Sequence, residues 1–326
     1  MSEHLLNGFQ IGAIFQKMCC EGVAQHMRRN IFFYLCFVLV ILDDFPESLA
    51  GHPVTVHVDE QSLIFLRRNN GSAGLSSSAA FSVLIARILS QLYNNNSVED
   101  IVIARTAHSA ETDHFGKPSG LTSQLVCAMG HTLYVDLKTN EIERIEDDFS
   151  DMGLTMCLTD TGGSHDGLNT SYARIPADMC YIANLFDVGV LSDVDPELFY
   201  SKGWDQSNRP VRRAMHFFAE NERVIKMRDA LKSHNGQEYM RLMNESGRSS
   251  ETLLNNIVTS STGDTRLLEG LERSASLLDG KGAWRVHGGG FAGCVQALMP
   301  SDFFPLYRTE MEHAFGAGKC FRIRLV

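Results

Sequence analysis

The sequence predicts an α+β protein built as two domains. Three observations point there. The chain has 326 residues, against ~150 for one domain. From Gly71 onward, strand-like alternation interleaves with helical apolar periodicity. Hydrophobic residues make up 44% and charged residues 21%, the balance of a chain that buries a core and not of a disordered or collagen-like one. The charge sum of 29 Lys+Arg against 39 Asp+Glu is −10. Such an acidic field disfavours nucleic acid as a partner. The eight cysteines are scattered and form no C-x-x-C pair. Reduced thiols in a cytoplasmic protein are therefore expected, with no disulfide framework or thiolate zinc site.

Met1–Asn30 reads as a helix. Ile31–Leu42 (IFFYLCFVLVIL) is continuously apolar, but shorter than the ~18–20 residues a membrane helix needs. No small-residue cleavage site follows; Asp43-Asp44-Phe45-Pro46 comes next. A buried strand or short core helix is expected there, and no membrane partner. Pro53–Val58 reads as a strand, and Arg67–Asn70 as a polar break. Ala79–Tyr93 (AAFSVLIARILSQLY) is an apolar helix stopped by Asn94-Asn95-Asn96. Val98–Ser109 and Leu121–Met129 are helical candidates, and Thr132–Leu137 and Leu154–Leu158 are strand candidates. Helices are expected over Ser171–Leu191, Arg209–Met227 and Gln237–Asn244. Ala283–His287 and Cys294–Met299 are expected as strands, with Pro300 ending the second. A domain boundary is expected between Asp160 and Pro210.

Three segments carry chemistry. Gly71–Ala80 (GSAGLSSSAA) places small residues and three serines directly before an apolar helix. Free N–H groups and the positive dipole end at a helix start suit a phosphate, and serine hydroxyls can bond phosphate or ligate Mg²⁺. The alternative is a serine N-cap after a loop. The G-x-x-x-x-G-K-[ST] loop is absent. Gly288–Gly293 (GGGFAG) formally fits G-x-G-x-x-G, but a strand-like run follows where a dinucleotide site needs a helix. A glycine hairpin turn near a ligand fits better. Asp160–His165 (DTGGSH) closes a strand in a polar turn. No H-E-x-x-H or G-x-S-x-G pattern occurs.

Taken together, these segments resemble galactokinase, within the GHMP kinase superfamily. The likeness rests on Gly74–Ala80 (GLSSSAA), Ala110–Gln124, Asp160–His165 with Tyr172 and Pro176, Arg213–Val224 (RAMHFFAENERV) and Ala283–Leu298 (AWRVHGGGFAGCVQAL). It covers about residues 71–326. It implies a two-domain GHMP kinase fold, with an N-terminal phosphate-loop domain and a C-terminal domain of ferredoxin-like type. The ranges expected are a divergent segment 1–70, the remainder of the ATP-binding domain 71–185, and the C-terminal domain 186–326. The cofactors implied are ATP and Mg²⁺, and the substrate galactose, phosphorylated at its anomeric hydroxyl. Ala73, Gly74, Leu75, Ser76, Ser77, Ser78 and Ala79 would hold the ATP phosphates. Ser78 and Glu111 match the metal positions. Gly120 and Tyr172 match positions contacting the sugar, and Gly288, Gly289 and Gly290 would shape the cleft.

Three departures stand against the family pattern. Ser123 occupies the place of the catalytic aspartate in G-[IL]-M-D-Q. A serine hydroxyl, un-ionised at neutral pH, accepts a proton poorly, and losing a general base costs ~10²–10⁴-fold. Asn70 and Ser72 replace the proline and first glycine of the phosphate loop. The N-terminal motif, an arginine followed by G-E-H-x-D, is not recognisable in residues 1–70; His57-Val58-Asp59 is a chance echo. A truncated or frame-disturbed gene copy is one expectation. The expected functions are a galactokinase-like kinase with impaired activity, an inactive sugar- or ATP-binding sensor, or a degraded copy without function.

Overall fold

The computed structural model describes residues 76–116, 120–164, 167–258 and 263–323. The elements expected at Met1–Asn30, Ile31–Leu42 and Pro53–Val58 lie outside them, as do Ala73, Gly74, Leu75 and His165. The described chain falls into two compact units, one of Ser76–Met129 and one from Gly130 onward.

The first unit holds three helices: α1 Ser77–Asn94, α2 Asp100–Ser109 and α3 Thr122–Met129. Ala79, Val83, Ala86 and Leu89 of α1 are buried, at the spacing that lines one helix face. They share this core with Ile103, Ala104 and Ala107 of α2 and Leu125 and Ala128 of α3. The asparagine run ends α1 as expected: Asn95 turns left-handed and its N–H bonds Ser90 O. Arg87 of α1 ties the three helices together, reaching Asp100 at the start of α2 and the Ala128 carbonyl in α3 at 2.6 Å. The next residues, Ala110–His114, widen into a π turn.

The second unit opens with an antiparallel pair, β1 Thr132–Asp136 and β2 Glu141–Ile145. β3 Leu154–Asp160 follows, then α4 Asn169–Asn184, α5 Pro196–Ser201, α6 Arg209–Lys232 and α7 Gly236–Ser249. A second π turn, Ser250–Leu254, extends α7. The unit closes with α8 Arg266–Leu278, β4 Ala283–Val286, β5 Cys294–Pro300, α9 Phe304–Phe315 and β6 Cys320–Arg322. The four strands stand in the order β4-β5-β3-β6, with every neighbour antiparallel. Helices join β3 to β4 and β5 to β6, which is the strand–helix–strand–strand–helix–strand arrangement of ferredoxin-like domains.

β3 is the sheet's inner strand beside β5, and all of its residues are buried. Its one face packs Cys157 with Leu278, Tyr307, Met311 and Cys320; Met156 and Leu154 join Leu231, Met243 and Leu298 on the other. A third cluster gathers Ile182, Leu191, Phe199, Val211, Ala214 and Phe218 beneath α4, α5 and α6. The helix expected over Ser171–Leu191 stops at Asn184; Asp187 takes φ 57 and the chain then enters a 3-10 turn at Leu191–Asp193. Among the described residues no helix is long and apolar enough to cross a membrane.

Candidate functional site

The start of α1 carries the first group of expected residues, all in the first unit. Ser76 precedes it in the left-handed region, φ 55 and ψ 30, and no side chain caps the helix. That costs ~1–2 kcal/mol for a residue with a Cβ. Backbone strain of this kind concentrates where ligands bind. Ala79 is buried and anchors the first turn, while Ser78 stays partly open.

Glu111 lies in the π turn and is only 5% exposed. Such turns re-aim a side chain relative to a regular helix and recur at functional sites. Here the carboxylate reaches α1. Ser78 Oγ donates to Oε2 at 3.2 Å, and Ser82 Oγ donates to Oε1 at 3.2 Å. The structure thus brings together Ser78 and Glu111, which were 33 residues apart in the chain. Ser82 was not foreseen; its only signal is its position one turn beyond Ser78. A carboxylate and a hydroxyl are hard oxygen donors of the kind Mg²⁺ takes, and Mg²⁺ is typically held by one or two carboxylates plus substrate phosphates. Among the described residues no group of three or more His, Cys, Asp or Glu side chains gathers for a metal. The pair fits an ion completed by nucleotide oxygens.

Ser123, on the first turn of α3, is the third member. Its hydroxyl is 2.8 Å from that of Ser76. The residue expected in the aspartate's place is therefore set against the start of α1. Gly120, just before α3, is exposed.

The second unit carries the other expected residues. The expected hairpin is present: β4 and β5 pair antiparallel, with His287–Gly293 as the connecting loop. Tyr172 Oη donates to Gly290 O at 2.7 Å, and burial pushes this phenol up to about 12. Gly289 and Gly290 thus meet Tyr172, while a Cβ at Gly288 would stand in open space. Asn256, also not foreseen, braces the loop. Its Nδ2 donates to Gly289 O at 3.2 Å, and its carbonyl accepts from Phe291 N at 2.6 Å. The Phe291 ring packs edge-on to Tyr172 at 5.5 Å. The Asp160–Gly163 turn lies against the loop's far end: Thr161 Oγ1 donates to Gly293 O at 2.8 Å, and a Cβ on Gly163 would meet Ala292 Cβ at 3.1 Å. Asp160 accepts from Gly162 N at 2.8 Å and pairs with Lys319.

Residues 38–131 match the family described as GHMP kinases N terminal domain. The second unit has the sheet order given above, and the chain superposes on Lactococcus lactis galactokinase complexed with galactose with a TM-score of 0.67. The chain has the GHMP kinase fold. The match to that galactokinase has 19% identity and covers 79% of this chain and 67% of the other. L. major mevalonate kinase in complex with R-mevalonate matches with a TM-score of 0.49 and 18% identity, over 76% of this chain and 64% of that one. Streptococcus pneumoniae phosphomevalonate kinase in complex with phosphomevalonate and AMPPNP matches at 0.48 and 15%, over 78% and 71%. The chain thus spans about two thirds of the length of these GHMP structures. The family match begins at residue 38, so the likeness is not confined to residues from 71 onward as the motifs alone indicate. Short motifs register a few fixed positions; a family pattern also registers apolar spacing between them.

Proposed function

We propose that the chain is an ATP-dependent kinase of the GHMP type that phosphorylates galactose at its anomeric hydroxyl. The observation that carries this reading is the meeting of Ser78 and the buried Glu111 carboxylate at the first turn of α1. The N–H groups opening α1 would receive the phosphates, where the helix dipole favours negative charge. Ser78 and Glu111 would hold Mg²⁺, which when bound neutralises charge on the transferring phosphoryl group. Galactose is supported by the motif likeness at Asp160–His165, Tyr172 and Gly288–Gly290, and by the galactose bound in the Lactococcus lactis structure. The cytoplasm, where ATP and reduced thiols coexist, suits this activity.

One observation favours a second reading, binding without turnover. Ser123 offers a neutral hydroxyl and spends it on Ser76, so no carboxylate stands there to receive the sugar proton. Galactose-dependent ADP release from Mg·ATP, on cooperatively folded protein, separates the two. Turnover supports the kinase. Saturable binding of ATP and galactose without turnover supports the sensor, and binding of neither overturns both.

A further inference from the structure

The glycine loop is held by a segment to which the proposed phosphoryl transfer gives no part. The π turn Ser250–Leu254 ends at Asn255, which takes φ 57 and ψ 58 and donates its N–H to Ser250 O at 2.8 Å. This sharp stop delivers Asn256, 1% exposed, to the loop. We propose that Asn256 is a positioning residue that fixes the shape of Gly288–Phe291; that this shape serves ligand binding rests on the function proposed above.

Asn256 meets both sides of Gly290. Its side-chain Nδ2 donates to Gly289 O, and its main-chain carbonyl accepts from Phe291 N. Gly290 itself, at φ +77, comes so close that a Cβ would overlap the Asn256 carbonyl oxygen and stand 2.7 Å from Nδ2. Phe291 is held at φ 60, a conformation that a residue with a Cβ adopts only when its surroundings impose it. Tyr172 secures Gly290 O from the other side. Two successive carbonyls are thereby tied down by two side chains, which sets the orientation of the peptide planes between them. Asn244 offers an internal comparison. Its side-chain amide also holds backbone, Nδ2 donating to Gly282 O at 3.2 Å and Oδ1 accepting from Trp284 N at 2.9 Å, but at the opposite end of β4.

The test is amide hydrogen exchange of the ligand-free full chain, comparing wild type, Asn256→Ala and Asn244→Ala. Asn256→Ala removes the Nδ2 bond and keeps the main-chain one; losing it should raise exchange across Gly288–Ala292 by about tenfold, the factor one net hydrogen bond supplies, and leave β3 and β5 unchanged. Asn244→Ala should leave the loop unchanged. Galactose binding should weaken about tenfold in Asn256→Ala alone. Unaltered loop exchange in Asn256→Ala, or an equal rise in Asn244→Ala, overturns the proposal. If Asn256→Ala does not unfold cooperatively, Asn256→Asp, which keeps the shape and loses the donor, is read the same way. Failure of both to fold makes Asn256 a core residue and also overturns it. A wild type that binds no galactose sinks the proposed function and leaves the exchange result standing.

Discussion

Replacing Gly290 by alanine should damage the second unit far more than the same change at its neighbour Gly289. Gly290 is buried with φ +77, and an added Cβ would run into the Asn256 carbonyl oxygen. That atom belongs to backbone, so no rotamer change relieves the overlap. The left-handed conformation costs alanine ~1–2 kcal/mol. Moving the loop aside forfeits the Phe291 N and Asn256 Nδ2 hydrogen bonds, each worth ~0.5–1.5 kcal/mol net. The total is about 2–5 kcal/mol. At Gly289 no left-handed φ is required, and the Cβ would meet the ring edge of Tyr172 at 3.0 Å. A half-buried ring can yield, so about 1 kcal/mol or less is expected there. Urea unfolding followed by circular dichroism and the fluorescence of Trp204 and Trp284 measures both. A Gly290→Ala loss under about 1 kcal/mol, or equal losses at the two glycines, would refute the argument.

Three further outcomes follow from the same geometry. Ser123→Asp places a carboxylate beside the Ser76 hydroxyl and the start of α1, where negative charge is favoured. Galactose-dependent turnover should rise by well over tenfold, within the ~10²–10⁴ a general base supplies, and no gain would show that Ser123 is not what limits the reaction. Asp178 accepts from Arg209 at 2.7 Å and from the buried Arg213 at 2.7 Å, and these partners hold its carboxyl below the usual range despite burial. Asp178→Ala strands Arg213 and should cost ~3–5 kcal/mol in urea unfolding; a cost under ~1 kcal/mol would contradict that. Burial lowers His216 below the ordinary value of 6.5, although Glu220 pulls the other way. The unfolded chain then binds the extra proton, so stability present above pH 6.5 is lost as pH falls toward the depressed folded value. The slope is at most about 1.4 kcal/mol per pH unit, and His216→Gln should flatten it; an unchanged slope would show that His216 is not the source.

What the sequence reveals depends on how local the cause is. α1 is legible because its apolar spacing and asparagine stop lie within one segment. The glycine hairpin is legible because Cys294–Pro300 alternates poorly with a helix and ends in proline. β2 was not foreseen: Glu141–Ile145 (EIERI) is a charged pair partner with little apolar surface. α9 hides behind Pro300 and Pro305, yet Pro305 sits in its first turn, where a missing N–H costs nothing. α8 carries Gly270 mid-helix, a breaker by propensity. There the glycine lets the helix approach β5 closely, since a Cβ would stand 2.9 Å from Thr161 Cγ2 and Val295 Cγ2. β6 is only Cys320–Arg322 and exists through its pairing with β3. The expected functional residues divide the same way. The motif likeness singles out Ser78 and Glu111, and their contact is a consequence of the π turn. Asn256 left no motif, because its role is set by a loop more than 30 residues away.

The proposed kinase function requires that the first turn of α1, with Glu111, holds Mg·ATP. The decisive experiment is calorimetric titration of Mg·ATP into wild type and Glu111→Gln, with magnesium-free ATP as the control. The variant keeps the shape and removes the charge; its one amide oxygen still accepts from one of the Ser78 and Ser82 hydroxyls, and the other hydroxyl accepts from its N–H. Saturable, magnesium-dependent binding to wild type is expected, weakened at least tenfold (~1.4 kcal/mol) in Glu111→Gln. Equal affinity in the two proteins, or no binding by cooperatively folded wild type, would rule the site out.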